Sequence, residues 1–260
     1  MLEREFIAKG NALLELGRYE QALEQFRKAV TSDIDPALAY QQMAFCYLRL
    51  QNLKKAVLCA NQALAHNPNC DYAFYVKANV KVLNNLAFAA RQDILKAIEL
   101  NPNVGFYYGT LADTYFIVKL WTLAIESAKT GLELDPLDVG CWGILIGAYH
   151  KTNDVENFED AEKAALELLP NNELLHEIIG LAYYNRANIK KAKEHAQILL
   201  QINPSTKSPL PRAPEIRLIK QENPAYKEEI DPDVTKSEVS LILKIAIIVI
   251  GMIIYVNQCN

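Results

Sequence analysis

Residues 139–172 read VGCWGILIGAYHKTNDVENFEDAEKAALELLPNN, with Trp142, Leu145, Tyr149 and Ala165 at helix–turn–helix spacing and Pro170 at the close. The same closing proline returns along the chain at Pro36, Pro68, Pro102, Pro136, Pro170 and Pro204, in steps of 32 and then 34 four times over. Asp35, Asn67, Asn101, Asp135, Leu169 and Asn203 precede these prolines. Proline cannot continue a helix, so each one marks the passage from one helical unit to the next. A fixed period of this size is the signature of a solenoid.

The units share more than their proline. Gly10, Gly17, Tyr19, Ala22, Phe26 and Ala29 recur in the first, and Ala44, Tyr47, Ala56, Ala63 and Pro68 in the second. Gly180, Tyr183, Ala192 and Pro204 do so in the last. This pattern resembles the tetratricopeptide (TPR) repeat across about 200 residues. The resemblance implies an all-α, right-handed superhelical solenoid of six helix pairs over residues 3–204, with units at 3–36, 37–70, 71–104, 105–138, 139–172 and 173–204. Helices are expected to start just after each repeat proline or within two residues of it. Small residues at Gly10, Ala44, Ala78, Ala112 and Gly180 would let the two helices of a pair approach closely. Three departures stand out: two apparent extra residues around Thr31 to Asp35, Lys81 in place of a tyrosine, and Phe158 where a small alanine is expected.

Beyond Pro204 the character changes. Residues 205–238 hold Pro209, Pro211, Pro214, Pro224 and Pro232 among mixed charges and read as an extended, proline-rich linker with room for one short capping helix. Residues 239–256 follow, uncharged from Ile245 to Val256. As a helix they would reach about 27 Å, against a hydrocarbon core of about 30 Å, and Lys244 could snorkel to the interface. They are expected to form one C-terminal membrane helix of tail-anchored type, leaving the repeats in the cytoplasm.

Composition excludes several classes. The 260-residue chain has a net charge of −4 and 51% hydrophobic residues, neither disordered nor basic enough for general nucleic-acid binding. Cys46, Cys59, Cys70, Cys141 and Cys259 are widely spaced and read as reduced thiols, mostly buried. His176-Glu177 opens like a zinc motif, but Gly180 stands where the second histidine belongs, so no metal site is expected. His66, His150 and His195 read as surface or inter-helix residues, and Trp121 and Trp142 as core. No phosphate loop and no nucleophile with a base are found, so neither a catalytic residue nor a cofactor is expected.

A groove is the alternative to chemistry. The TPR resemblance places Asn11, Gln42, Phe45, Tyr72, Tyr75, Asn79, Phe106, Asp113 and Phe116 on the concave face, together with Ile7 and Val76. An apolar, aromatic lining with a few amides suits an extended or helical peptide. TPR co-chaperones hold acidic heat-shock-protein tails with lysine, arginine and asparagine. The matching places here are Ile7, Asn11, Gln42, Tyr72 and Val76, so such a tail is not the expected partner. Lys77 should turn away from the groove. The expected function is a membrane-anchored, non-catalytic adaptor for a protein or peptide. The competing readings are a subunit or assembly factor of a membrane-associated complex, or an enzyme with an unrecognised site.

Overall fold

The computed structural model describes residues 2–31 and 36–204. These form twelve α-helices and, among the described residues, no strand. The chain divides into two compact units, Met1–Asp138 and Val139–Asn260. The first holds α1 (Leu2–Glu15), α2 (Tyr19–Val30), α3 (Pro36–Arg49), α4 (Leu53–His66), α5 (Asp71–Leu83), α6 (Ala87–Leu100), α7 (Gly105–Ile117) and α8 (Trp121–Leu134). The second holds α9 (Val139–Lys151), α10 (Val155–Leu168), α11 (Glu173–Asn185) and α12 (Ile189–Ile202). In each unit the fold is all-α, built of successive antiparallel helix pairs like those the resemblance implies. The linker at 205–238, the expected membrane helix at 239–256 and Cys259 lie outside the described residues. No helix among the described residues is long and apolar enough to cross a membrane.

Every pair turns in the same way. Gly17, Gln51, Asn85, Lys119, Asn153 and Ala187 all carry positive φ, between 57° and 69°. They lie at successive intervals of 34 residues. At each, the next amide reaches back over the turn: Arg18 to the Leu13 carbonyl (2.9 Å), Asn52 to Tyr47 (2.8 Å), Leu86 to Lys81 (2.8 Å). Leu120 donates to Tyr115 (2.9 Å), Asp154 to Tyr149 (3.0 Å) and Asn188 to Tyr183 (2.9 Å) in the same way. This is the Schellman C-cap, which satisfies the last carbonyls of one helix and aims the chain into the next. Asn52, Asp154 and Asn188 then cap the following helix, their side chains accepting from the amides of Lys55, Asn157 and Lys191.

The turns also correct the reading of the first unit. Gly17 to Gln51 is still 34 residues, so nothing is inserted there. Pro36 is merely displaced, and it opens α3 itself, where proline's missing N–H costs nothing. Elsewhere helices begin three residues after the proline, at Asp71, Gly105, Val139 and Glu173, rather than within two. The reason is a β-turn with proline second. Cys70 donates to the Asn67 carbonyl (3.1 Å), Asp138 to Asp135 (3.2 Å) and Asn172 to Leu169 (3.2 Å). The residue ahead of the proline adds a side-chain turn: Asn67 Oδ1 accepts from the Asn69 amide at 3.1 Å, and Asp135 Oδ1 from Leu137 at 3.0 Å.

Small residues set the closeness of each pair. Ala44, Ala78 and Ala112 are wholly buried, as are Ala22, Ala56, Ala90 and Ala124 on the facing helices. A Cβ at Gly10 would overlap the Phe26 ring. Phe158 is the exception. It is fully buried, meets the Tyr183 ring edge-on at 5.2 Å between centroids, and lies 4.2 Å beneath the Arg186 guanidinium. Gly10→Ala is therefore expected to cost about 1–3 kcal/mol of stability, because the ring has no free space to enter. Lys119→Gly relieves left-handed strain at an exposed site and should instead add roughly 0.5–1 kcal/mol. Urea unfolding of both variants checks the pair of signs.

Candidate peptide-binding face

Within the first unit, rings from four successive helix pairs meet one another. Tyr19 lies 6.3 Å from Phe45 between centroids, and Phe45 lies 6.3 Å from Tyr72. Tyr72 is 5.2 Å from Tyr75, which is 4.8 Å from Phe106, and Phe106 is 4.9 Å from Tyr107. The last two contacts are edge-to-face, at 70° and 84°, the arrangement that ring quadrupoles favour. The period explains the continuity: Tyr72 and Phe106 are 34 residues apart and stand second in α5 and α7. Phe106 is 41% exposed, so the ladder presents apolar surface to solvent.

Tyr19 and Tyr107 join this ladder without having been picked out as binding residues. Tyr107 is buried, and its hydroxyl donates to Asp71 Oδ2 at 3.0 Å. The same oxygen accepts from Asn101 Nδ2 at 3.0 Å, which ties α7 to the start of α5. Burial pushes the Tyr72 and Tyr75 hydroxyls above their ordinary range, and the charge of Asp138 adds to this at Tyr75. Arg49 opposes the rise at both, and its guanidinium lies 5.6 Å over the Tyr19 ring.

Other expected members stand elsewhere. Phe116 packs edge-on against Trp121 at 4.9 Å and not against the ladder. That pairing holds Trp121 half-buried rather than in the core. Val76 is fully buried and so faces the core, not the groove. Lys77 does turn away, toward Asp93 of α6 (3.8 Å), which also binds Lys81 at 2.6 Å. Asn79 donates to the Tyr75 hydroxyl at 3.5 Å. Gln42 is half-buried; its neighbour Gln41 accepts from Cys70 Sγ at 3.3 Å. The Asn11 Oδ1 is enclosed and has no hydrogen-bond partner among the described residues.

Asp113 is the charge of interest. It lies two helical turns beyond Phe106 on α7, and burial alone pushes its carboxyl up to about 6. Among the described residues no ion pair reaches it. The cysteines offer little chemistry: Cys46, Cys59, Cys70 and Cys141 are buried thiols outside any disulfide, and burial pushes the first two up to about 12 and about 11. No group of three His, Cys, Asp or Glu among the described residues is placed to hold a metal. His195 lies between helices, one of the two places its reading allowed, and His176, which opens the incomplete zinc motif, faces it. Both are buried in the second unit, because each ring nitrogen there has a partner.

Comparison with known proteins agrees with this architecture. Residues 13–80 match the family model described as Tetratricopeptide repeat. Over 105 residues the chain is 30% identical to the small glutamine-rich tetratricopeptide repeat-containing protein of Dictyostelium discoideum, covering 40% of this chain and 31% of that one. It is 25% identical over 186 residues to anaphase-promoting complex subunit 3 of Schizosaccharomyces pombe, covering 70% of this chain and 28% of that one. The chain thus spans about a third or less of these curated relatives. In the crystal structure of the APC/C hetero-tetramer Cut9-Hcn1, a chain 19% identical matches with a TM-score of 0.70, covering 78% of this chain and 41% of that one. The family model thus matches residues 13–80, and the solved structure shares the fold.

The Asp113 carboxyl yields a signed expectation. Its folded pKa lies above the unfolded value near 3.8, so the native state holds the proton more tightly and stability falls as pH rises through that window. The cost is fully present above about pH 6. Asp113→Asn should therefore raise the unfolding free energy by roughly 1–3 kcal/mol at pH 7.5 and by nothing at pH 3.5. Urea titrations at both values check it, and an equal gain at each would show that the carboxylate charge is not the cost.

Proposed function

We propose that this chain is a non-catalytic protein-interaction scaffold whose first unit receives an apolar or aromatic peptide along Phe45, Tyr72, Tyr75 and Phe106. The observation that carries this reading is the ring ladder, which runs across four helix pairs and leaves Phe106 open to solvent. Aromatic rings of this kind dominate peptide anchoring, because they bury much area with little loss of side-chain freedom. An acidic tail suits the face poorly. Lys77 and Lys81 are engaged by Asp93, and Asp113 places a desolvated negative charge in the lining.

The membrane part of the proposal rests on sequence. Residues 239–256 are apolar enough, and long enough as a helix, to cross a bilayer and to hold the repeats on its cytoplasmic side. A second reading, as a non-catalytic subunit of a larger assembly, draws on the similarity to a subunit of the anaphase-promoting complex over 70% of this chain.

Two experiments test the proposal. Peptides selected by display on the full chain should lose about 1–3 kcal/mol of affinity on Tyr75→Ala or Phe106→Ala, measured at a temperature where each variant is folded, with little dependence on salt. Micromolar, salt-sensitive binding of a heat-shock-protein tail peptide would overturn it. Carbonate extraction should leave the full chain in the pellet and release a chain ending at Lys236. Equal release of both would remove the membrane anchor.

A further inference from the structure

In the second unit, His176 of α11 and His195 of α12 face each other with Nδ1 to Nδ1 at 2.9 Å. The other nitrogen of each ring is also occupied. His176 Nε2 lies 2.8 Å from the Pro170 carbonyl, and His195 Nε2 lies 3.0 Å from Glu162 Oε1 of α10. Both rings are buried, at 2% and 6% exposure.

Counting protons decides what this arrangement is. A carbonyl and a carboxylate only accept, so the two outer bonds require N–H on both Nε2 atoms. The central bond requires a third N–H on one Nδ1 and a lone pair on the other. Two neutral imidazoles carry two N–H protons, not three. The missing proton could sit on Glu162 instead, but three features oppose that. Its second oxygen accepts from the Tyr183 hydroxyl, Lys191 Nζ donates to that hydroxyl at 2.7 Å, and the His195 and Tyr183 bonds, helped by the Lys191 charge, hold its carboxyl below the ordinary range against burial. The charged and titratable groups around the pair are Glu162 and Glu159 from α10, Tyr183 from α11 and Lys191 from α12, with Lys191 3.2 Å from Glu159. α9 contributes none of the charges acting on His176.

We propose that α11 and α12 are latched to α10 by one stored proton, shared by His176 and His195 beyond the two that neutral rings carry, and that gain or loss of a proton there loosens α12. The latch has two failure modes. A second extra proton would set N–H against N–H across 2.9 Å and two cations in one buried site. Loss of the stored proton leaves two lone pairs facing, or one outer bond unmade. Burial holds His176 below its ordinary pKa, so the acid failure lies below about pH 6.5. The native state resists that proton more than the unfolded chain does, and stability is lost as pH falls. The alkaline failure is the mirror case.

The test is a spectrum and an exchange profile on the full chain. Histidine-selective nitrogen-15 labelling leaves four imidazoles to assign, His66, His150, His176 and His195. At the pH where α12 amides exchange most slowly, three of the four nitrogens of the pair should carry protons. Exchange in α12, corrected for the intrinsic rate, should be at least 10-fold faster on both the acid and the alkaline side. Glu162→Gln supplies a discriminating variant, because its amide can donate to His195 Nε2 and so satisfy the pair with two ring protons. It should retain its helices, show two protonated ring nitrogens and lose the alkaline acceleration. Two ring protons in the native chain, or an exchange profile unchanged by Glu162→Gln, would overturn the latch.

Discussion

A residue forced into left-handed conformation every 34 positions, from Gly17 to Ala187, fixes where the second helix of each pair begins and which of its faces meets the first. Much else in the two units depends on that turn. It ends one helix by satisfying its last carbonyls, and it delivers a capping side chain such as Asn52, Asp154 or Asn188 to the next. Only then do the small residues meet. Ala44 and Ala56, or Ala112 and Ala124, are wholly buried because the turn brings two helix backbones close enough to exclude larger side chains. The strain at Gln51, Lys119 and Ala187 is the local cost of packing gained along a whole helix pair.

This constraint was poorly visible in the sequence, although the fold was not. Prolines announce themselves because no other residue removes a donor and fixes φ, so the period and the twelve helices could be read from them. The left-handed position carries glycine only once, at Gly17, and elsewhere accepts Gln, Asn, Lys and Ala. At Gln51, Lys119 and Ala187 the cap bonds therefore hold a conformation that local preference does not select, whereas Gly17, Asn85 and Asn153 adopt it readily. That is also why the first unit looked two residues too long. Pro36 moved within the unit while the turns on either side kept their spacing.

The candidate site was legible to the extent that it repeats. Phe45, Tyr72, Tyr75 and Phe106 could be picked out because equivalent places in successive pairs lie side by side, and rings at those places touch. Phe116 and Val76 could not be sorted in the same way. Near the end of α7 the side chain meets the first residue of α8, Trp121, and a half-turn's difference in direction decides between groove and core. Nor does sequence show desolvation. Asp113 looks like any helical aspartate until the surrounding helices remove its water.

The second unit departs from the apolar scheme in a way that single-repeat reading does not reach. His176 occupies the place held by Trp142 in the preceding repeat, and Phe158 the place held elsewhere by a small alanine. An aromatic side chain there only has to fit, whereas a buried imidazole must also find a partner for each nitrogen. Those partners come from three separated points, the Pro170 carbonyl, Glu162 and His195. Phe158 and Tyr183 close the neighbouring space, so Glu162 takes the Tyr183 hydroxyl as well as His195. A network of this kind tolerates less displacement than a stack of rings, because every bond lost leaves a buried polar group exposed to a low dielectric. The last helix pair is thus held by directional bonds and a proton count, where the first unit is held by shape.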